Sequence, residues 1–390
     1  MRRILYVLLA TLCTATLVQG QTNDHVYRSW RWEEDPGSPR AAGLAGSFTA
    51  IADDASASLT NPAGLADLPR TEAMGSLLRR GSGTIGPGDA LGSSTNLGLV
   101  GGTVAIGSRL GLGVHFSEPR DINLNLAPNA LPDSTLDAGF LQARLRTLGV
   151  AAGYQVTSHL RIGAGIARAH LELDSQDSVL RPRGDSPLTT MDATGADSAI
   201  IATFGALYDI TPDVRVGLSA HTGGSFQVSR TAFSPVENRT LDQGSVYELR
   251  EPDVFSAGVA WRLPASFRVT AQADLVRYSQ IRDALDIRRD LVPSDYVLDD
   301  GVEGHIGLEW ARIFNPLTLQ LRGGLWSQAP GSVEYVGPDL SERMTFQGSS
   351  RRLREGFGAS VLLKDGVSFD TAILLGGDRT VLMGAARYRF

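Results

Sequence analysis

The chain has 390 residues, 42% of them hydrophobic and 20% charged, with 44 glycines and a formal net charge of −6. That length admits two or three small soluble domains or one large β architecture. The apolar content excludes wholesale disorder, the lack of repeated apolar runs of roughly 20 residues excludes a helical membrane protein, and the glycines follow no collagen period. No clustered basic face accompanies the acidic balance, so no nucleic-acid partner is predicted.

The first twenty residues stand apart. Arg2 and Arg3 precede a nearly all-apolar run from Ile4 to Val18, and Val18-Gln19-Gly20 places short residues before Gln21. This predicts a secretory signal peptide over 1–20. The competing reading, an N-terminal anchor helix, needs about 20 apolar residues rather than this shorter run. The single cysteine, Cys13, lies inside the segment and follows Leu12, where a lipoprotein signal wants a small residue. A mature chain without cysteine has no disulfide, thiolate nucleophile or Cys-ligated metal.

Residues 21–70 do not alternate and read as coil and short helix. Ala41, Ala42, Gly43, Ala45 and Gly46 permit close backbone packing. Asp53 and Asp54 are acceptors for arginines or for a helix start, and Asn61-Pro62 begins a turn before Ala63 and Gly64. These preferences serve a plug inside a barrel and an ordinary structured loop equally well. The following GxGxxG match, Gly81-Ser82-Gly83-Thr84-Ile85-Gly86, runs into Pro87-Gly88 rather than a helix, so a flexible loop is predicted instead of a dinucleotide site.

From about residue 95 the pattern has period two. Val214, Val216, Leu218 and Ala220 oppose Arg215, Ser219 and His221; Phe267, Val269, Ala271 and Leu275 oppose Arg268, Gln272 and Asp274. Fourteen such segments are predicted, the first at about 71–82 and the last at 380–390. Short links at 107–109, 157–159, 211–212, 263–265, 314–316 and 364–366 alternate with long polar links at about 118–141, 174–196, 229–250, 280–301 and 328–352. A sandwich has no reason to alternate in this way, whereas an outer-membrane barrel has short periplasmic turns and long external loops. At Gly101-Gly102 the apolar phase slips from Leu97 and Leu99 to Val104 and Ile106, which marks either a wall kink or a weak strand. Tyr154, Tyr208, Trp261 and Trp310 each fall just before a short turn on the apolar phase, as a lipid-facing girdle does. The chain ends in Tyr388-Arg389-Phe390, an aromatic strand end similar to the signal read by the outer-membrane insertion machinery. The predicted fold is all-β, a 14-stranded antiparallel transmembrane barrel with 1–20 as signal peptide, 21–70 as N-terminal hatch and 71–390 as the barrel.

Residues 40–65, RAAGLAGSFTAIADDASASLTNPAGL, resemble the hatch of the FadL/TodX-type fatty acid and hydrocarbon transporters. The resemblance implies a barrel of fourteen strands with an N-terminal plug in the bacterial outer membrane. It implies passive uptake of hydrophobic small molecules, long-chain fatty acids or hydrocarbons, with the outer-membrane bilayer and an apolar ligand as partners. The PorV-type barrels of secretion systems carry a similar hatch, so an assembly or secretion partner without small-molecule transport is the alternative. Under the hatch reading Asp53 and Asp54 face lumen arginines such as Arg215, Arg268 or Arg387. The apolar segment Ile122–Ala127, with Leu131, offers an external capture surface.

No chemistry of catalysis emerges. The six histidines have no metal-ligand spacing; His115, His221 and His305 fall on lumen phases. Ser219 and His221 share a face without a nucleophile elbow or acid partner. No enzyme activity, cofactor or metal is predicted.

Overall fold

The computed structural model describes residues 24–27, 35–68, 71–84, 89–130, 136–180, 187–287 and 291–390. The predicted signal peptide, Ile85-Gly86 and Leu131 lie outside them. Fourteen antiparallel strands close into one barrel. They are β1 (Glu72–Arg80), β2 (Ser94–Ile106), β3 (Leu110–Ala130), β4 (Leu136–Gln155), β5 (Leu160–Leu180), β6 (Pro187–Asp209), β7 (Val214–His221 and Ser225–Ser234) and β8 (Arg239–Arg250 and Val254–Leu263). The ring continues through β9 (Phe267–Val276), β10 (Gly301–Phe314), β11 (Leu317–Gln328), β12 (Arg352–Leu363), β13 (Val367–Leu375) and β14 (Val381–Arg389). β1 pairs with β14 from Glu72↔Arg389 to Arg80↔Val381, which leaves the sheet no free edge. Among the described residues no helix is long and apolar enough to cross a membrane.

One end of the barrel carries the short reversals that the sequence predicts, at 107–109, 156–159, 210–213, 264–266, 315–316 and 364–366. The other end corrects the prediction. The links expected at 118–141, 174–196 and 229–250 are largely strand: β3 runs to Ala130, β5 to Leu180 and β7 to Ser234. Of the five long links expected, the two at 280–301 and 328–352 are loops among the described residues, tied together by a two-residue ribbon pairing Tyr296 with Tyr335.

The reason lies in which side of each strand is apolar. Near the short turns the apolar residues face outward: Leu148, Val150 and Tyr154 on β4, Ile162 and Ile166 on β5, Ile200, Phe204 and Tyr208 on β6. Farther up the same strands the outward residues become Arg144 and Arg146, Arg168 and His170, and Ser198. There the inward side turns apolar instead: Leu141, Ala143 and Leu145, Ala169, Leu171 and Leu173, with Leu124, Phe226, Val228 and Leu249 in one buried cluster. Period two persists while its polarity inverts, and a reading that follows only the lipid-facing phase stops at the inversion. The Ile122–Ala127 segment is part of β3, and Ile122 and Leu124 are buried in that cluster rather than presented for capture.

Residues 24–27 and 35–68 occupy the lumen. Helix α1 (Asp24–Tyr27) inserts Tyr27 among the upper strands, its hydroxyl donating to the Glu248 carbonyl at 3.2 Å. Helix α2 (Pro39–Gly43) begins at Ser38, whose Oγ caps Ala41 N. Helix α3 (Ala57–Thr60) leads into a 3₁₀ turn, Pro62–Asp67, capped by Asn61. Loop length fixes a testable orientation. A cysteine introduced as Ser341→Cys, in the 329–351 loop, should react with a membrane-impermeant maleimide in intact cells, whereas Thr211→Cys should react only after the outer membrane is opened. The reverse labelling pattern would invert the topology.

Candidate functional site

The segment 35–68 is fixed to the wall by ion networks at three places. In the first, Arg40 of α2 donates from Nε and Nη2 to the two oxygens of Glu309 on β10, at 3.0 Å each, and from Nη1 to Asp53. Glu309 also receives Arg322 Nε at 2.7 Å, and Arg268 Nη1 lies 3.4 Å from both Glu309 and Asp53. Burial pushes the Asp53 carboxyl up, but Arg40 and Arg268 outweigh it and hold the group below the usual carboxylate range. In the second, Arg387 lies 3.9 Å from Asp54 and from Glu72, and Glu72 accepts Ala55 N at 2.8 Å. In the third, Asp67 meets Arg161 and Arg215, and Arg215 Nε reaches Asp209 at 2.6 Å.

The three singled-out lumen arginines thus each touch the segment, with a division of labour that the sequence does not show. Arg268 faces Asp53, Arg387 faces Asp54, and Arg215 faces Asp67 rather than either. Arg40 and Glu309 are missed because the expected scheme set wall cations against segment anions; here the central pair has the opposite polarity.

Asn61 stitches the segment to β6 and β7. Its Nδ2 donates to Thr49 O at 2.8 Å and reaches the carbonyls of Leu218 at 3.3 Å and Ala206 at 3.5 Å, while its Oδ1 accepts Ala63 N at 3.2 Å. The wall makes room with glycine. A Cβ at Gly205 would collide with Asn61 Oδ1, one at Gly163 with Ala63 N, and one at Gly111 with the Leu65 carbonyl. Pro62 and Ala63 lie against Gly163, and a Cβ at Gly64 would strike the Ala52 carbonyl within the segment itself. The signal was present in the inward-phase glycines, but only the ladder register, through Gly111↔Gly153, Gly153↔Gly163 and Gly163↔Gly205, reveals that they share a level.

Above the segment lies a chamber of about 130 Å³, walled by Phe48, Leu59, Tyr278 and Trp326 and edged by His221, His305, Asp274 and Glu303. A smaller chamber of about 40 Å³ adjoins it across Asp35-Pro36-Gly37 and reaches Gly98, Leu145 and Met383. The histidines on lumen phases are structural members here. His305 Nδ1 lies 2.7 Å from Ala45 O, and His115 Nδ1 lies 3.2 Å from Ser58 Oγ.

The wall irregularity is displaced from Gly101-Gly102. These two pair regularly with Met74 and Ala73. The register of β1 on β2 instead shifts between Gly75↔Val100 and Leu77↔Leu97, so Gly98 and Leu99 together oppose Ser76. Leu97 and Val100 point out while Leu99 is fully buried with Ala55 and Met74, which explains the slip. Ser76 Oγ takes Leu99 N at 2.6 Å in place of a ladder bond. At the chain end Tyr388 faces outward, packed edge-on against Phe390 at 4.7 Å, and Phe390 N donates to Thr71 O. Tyr154, Tyr208 and Trp261 are exposed and Trp310 half-exposed, next to the short turns.

No protein-family model matches the sequence, and no curated protein sequence does. Solved structures do. A Pseudomonas aeruginosa FadL homologue superposes with a TM-score of 0.70 at 12% identity, over 93% of this chain and 99% of that one. The Ralstonia pickettii toluene transporter TbuX gives 0.67 at 16% identity, over 90% and 98%. The CymD monoaromatic hydrocarbon channel gives 0.65 at 15%, over 90% and 97%. Fourteen closed strands around an N-terminal segment that fills the lumen are thus the fold of the FadL/TodX-type barrels.

Proposed function

We propose that this chain is a bacterial outer-membrane channel for passive passage of hydrophobic small molecules, long-chain fatty acids or hydrocarbons, with 21–70 as its hatch. The supporting observation is the continuity of apolar space. The apolar cluster of the outer half shares Val276 and Tyr278 with the large chamber, and Leu145 and Ile201 with the small one. The small chamber in turn touches the bulge at Gly98. A ligand leaving water gains free energy by entering such a path, and a bulged ladder is the weakest place for it to leave through the wall.

The test uses cells that lack their own uptake channel and express this chain, supplied with a labelled fatty acid and, separately, labelled toluene. Expression should raise the initial uptake rate of at least one of them. Deleting Gly98 leaves one residue opposite Ser76, regularises the ladder, and should cut that rate several-fold in a barrel that still migrates as folded. Uptake equal to that of cells without the protein would sink the channel reading. Uptake untouched by the deletion would remove the bulge from the path.

A further inference from the structure

Above the lipid-facing residues, β3 to β6 carry the sheet onward with its outer face open. β9 and β10 do not: they reach their tops at Leu275 and Val302, which are still apolar and exposed. Up the outer face of β4 and β5 the side chains change in a fixed order. Leu148, Ile166 and Ile200 come first. Arg168, across from Leu148, opens a cationic band that continues with Arg146 opposite His170 and Arg144 opposite Glu172. Gln142 opposite Asp174 follows, flanked by Asn123 on β3. These last three groups, with Thr95 of β2, Arg144 and Glu172, line a pocket of about 420 Å³ on the outside of the wall.

The arginines differ in how far they are already paired. Arg146 is taken, with Nε on Glu118 at 3.2 Å and Nη1 on Glu172 at 2.6 Å. Arg168 is exposed and donates to the neutral Ser198 hydroxyl at 3.0 Å. The Arg144 side chain is 44% exposed and lies 3.7 Å from Asp121, which already accepts Asn96 Nδ2 at 2.7 Å. Arg144 and Arg168 therefore keep free N–H donors, in a fork that fits a phosphate. Asn123, Gln142 and Asp174 have no side-chain hydrogen bond among the described residues. Two amides that donate and accept, beside a carboxylate that only accepts, match the hydroxyls of a sugar ring. Asp174 repels phosphate, so an anionic group belongs lower on the wall, at the arginines.

We propose that the outer face of β3 to β5 binds the phosphorylated sugar headgroup of an outer-leaflet glycolipid. Its acyl chains lie on Leu148, Ile166 and Ile200, its phosphate meets Arg168 and Arg144, and its sugar enters the pocket against Asn123, Gln142 and Asp174. The inference rests on the outer-membrane placement in the reading above and is independent of what passes through the lumen. Apolar, cationic and neutral polar bands follow one another up the wall in the order of acyl chain, phosphate and sugar in such a lipid. A glycerophospholipid matches the first two bands and leaves the pocket unfilled.

Native mass spectrometry of the purified, delipidated full-length barrel tests this with three probes. Lipid A carries acyl chains, phosphates and a glucosamine disaccharide; cardiolipin carries acyl chains and two phosphates without a sugar; glucosamine 1-phosphate carries no acyl chain. Lipid A should bind about tenfold or more tighter than cardiolipin, and glucosamine 1-phosphate far more weakly than either. Arg168→Gln should weaken both lipids several-fold. Gln142→Ala with Asp174→Ala should bring lipid A down to the affinity of cardiolipin and leave cardiolipin unchanged. All three positions are exposed on the outer face, so the variants keep the ladder and the lumen intact. Equal binding of lipid A and cardiolipin by the intact protein, or a preference that survives the double variant, would overturn the site. Glucosamine 1-phosphate binding as tightly as lipid A would overturn it in favour of a soluble sugar. The channel reading is judged apart from this: a barrel that prefers lipid A yet raises uptake of neither fatty acid nor toluene keeps the site and loses the channel.

Discussion

A chain lacking residues 21–70 is expected to insert as a barrel and to conduct ions at least an order of magnitude better than the intact protein in a planar bilayer. Fourteen strands enclose more space than their own inward side chains fill. Here the balance is filled by 35–68, whose residues are almost all buried against the wall. Wall glycines at 111, 163 and 205 leave notches where the segment sits, so its loss leaves grooves rather than a collapsed core. The closed ladder from β1 to β14 does not run through the segment, so closure should survive. A truncated barrel that inserts and conducts no better than the full chain would show that the segment is no plug.

Arg40→Met should give a leak between those two limits. Arg40 is the one cation that the segment itself contributes to Glu309, and both groups are nearly inaccessible. Removing it leaves Glu309 and Asp53 to share Arg268 and Arg322. Deleting one partner of an isolated buried pair costs about 3–5 kcal/mol; the cost here is smaller, because Glu309 keeps Arg322 at 2.7 Å and Arg268 at 3.4 Å. That loss falls on the seat of segment 35–68 rather than on the barrel ladder. Conductance should therefore rise while resistance of the barrel to detergent and heat hardly changes. Adding Glu309→Gln should recover part of the closed state, since the carboxylate that has lost its bidentate partner is then gone. A double variant that leaks more than Arg40→Met would mean that Glu309 serves the seat through other partners, Arg322 at 2.7 Å first among them.

Much of the barrel was legible because lipid imposes a strict rule on the outward face. Leu148, Val150, Phe204 and Trp261 could be read as one phase, and the six short turns followed from glycine, proline and polar punctuation. The strand tops were not legible. Above the lipid, Arg146 and Arg168 replace the apolar outward residues, and a strand with its polarity reversed resembles a loop to any rule keyed to lipid. The slip in β2 was visible as a change of phase, yet its position was not. Leu99 is apolar whether it points to lipid or to the lumen segment, and only pairing with Ser76 separates the two. The seat was half legible. Acidic residues in the segment and arginines on the wall stood out, but the Arg40–Glu309 pair links residues 269 positions apart with no local pattern to join them.

The exchange of polarity along β4, β5 and β6 also works as a depth gauge. Sliding the barrel inward by one rung would carry Arg146 and Arg168 to the edge of the hydrocarbon, where arginine on a lipid face costs up to about 1 kcal/mol, rising to about 2–4 at the midplane with each further rung. Sliding it outward would strip lipid from Leu148, Ile166 and Ile200, forfeiting roughly 25 cal/mol for each Å² of apolar surface returned to water. Both displacements are uphill, so the barrel floats at one height. The level at which β7 and β8 break, between His221 and Ser225 and between Arg250 and Val254, is thereby held at the waterline. Everything above it is in effect a small water-soluble β-structure with its own apolar interior, standing on the membrane rather than in it.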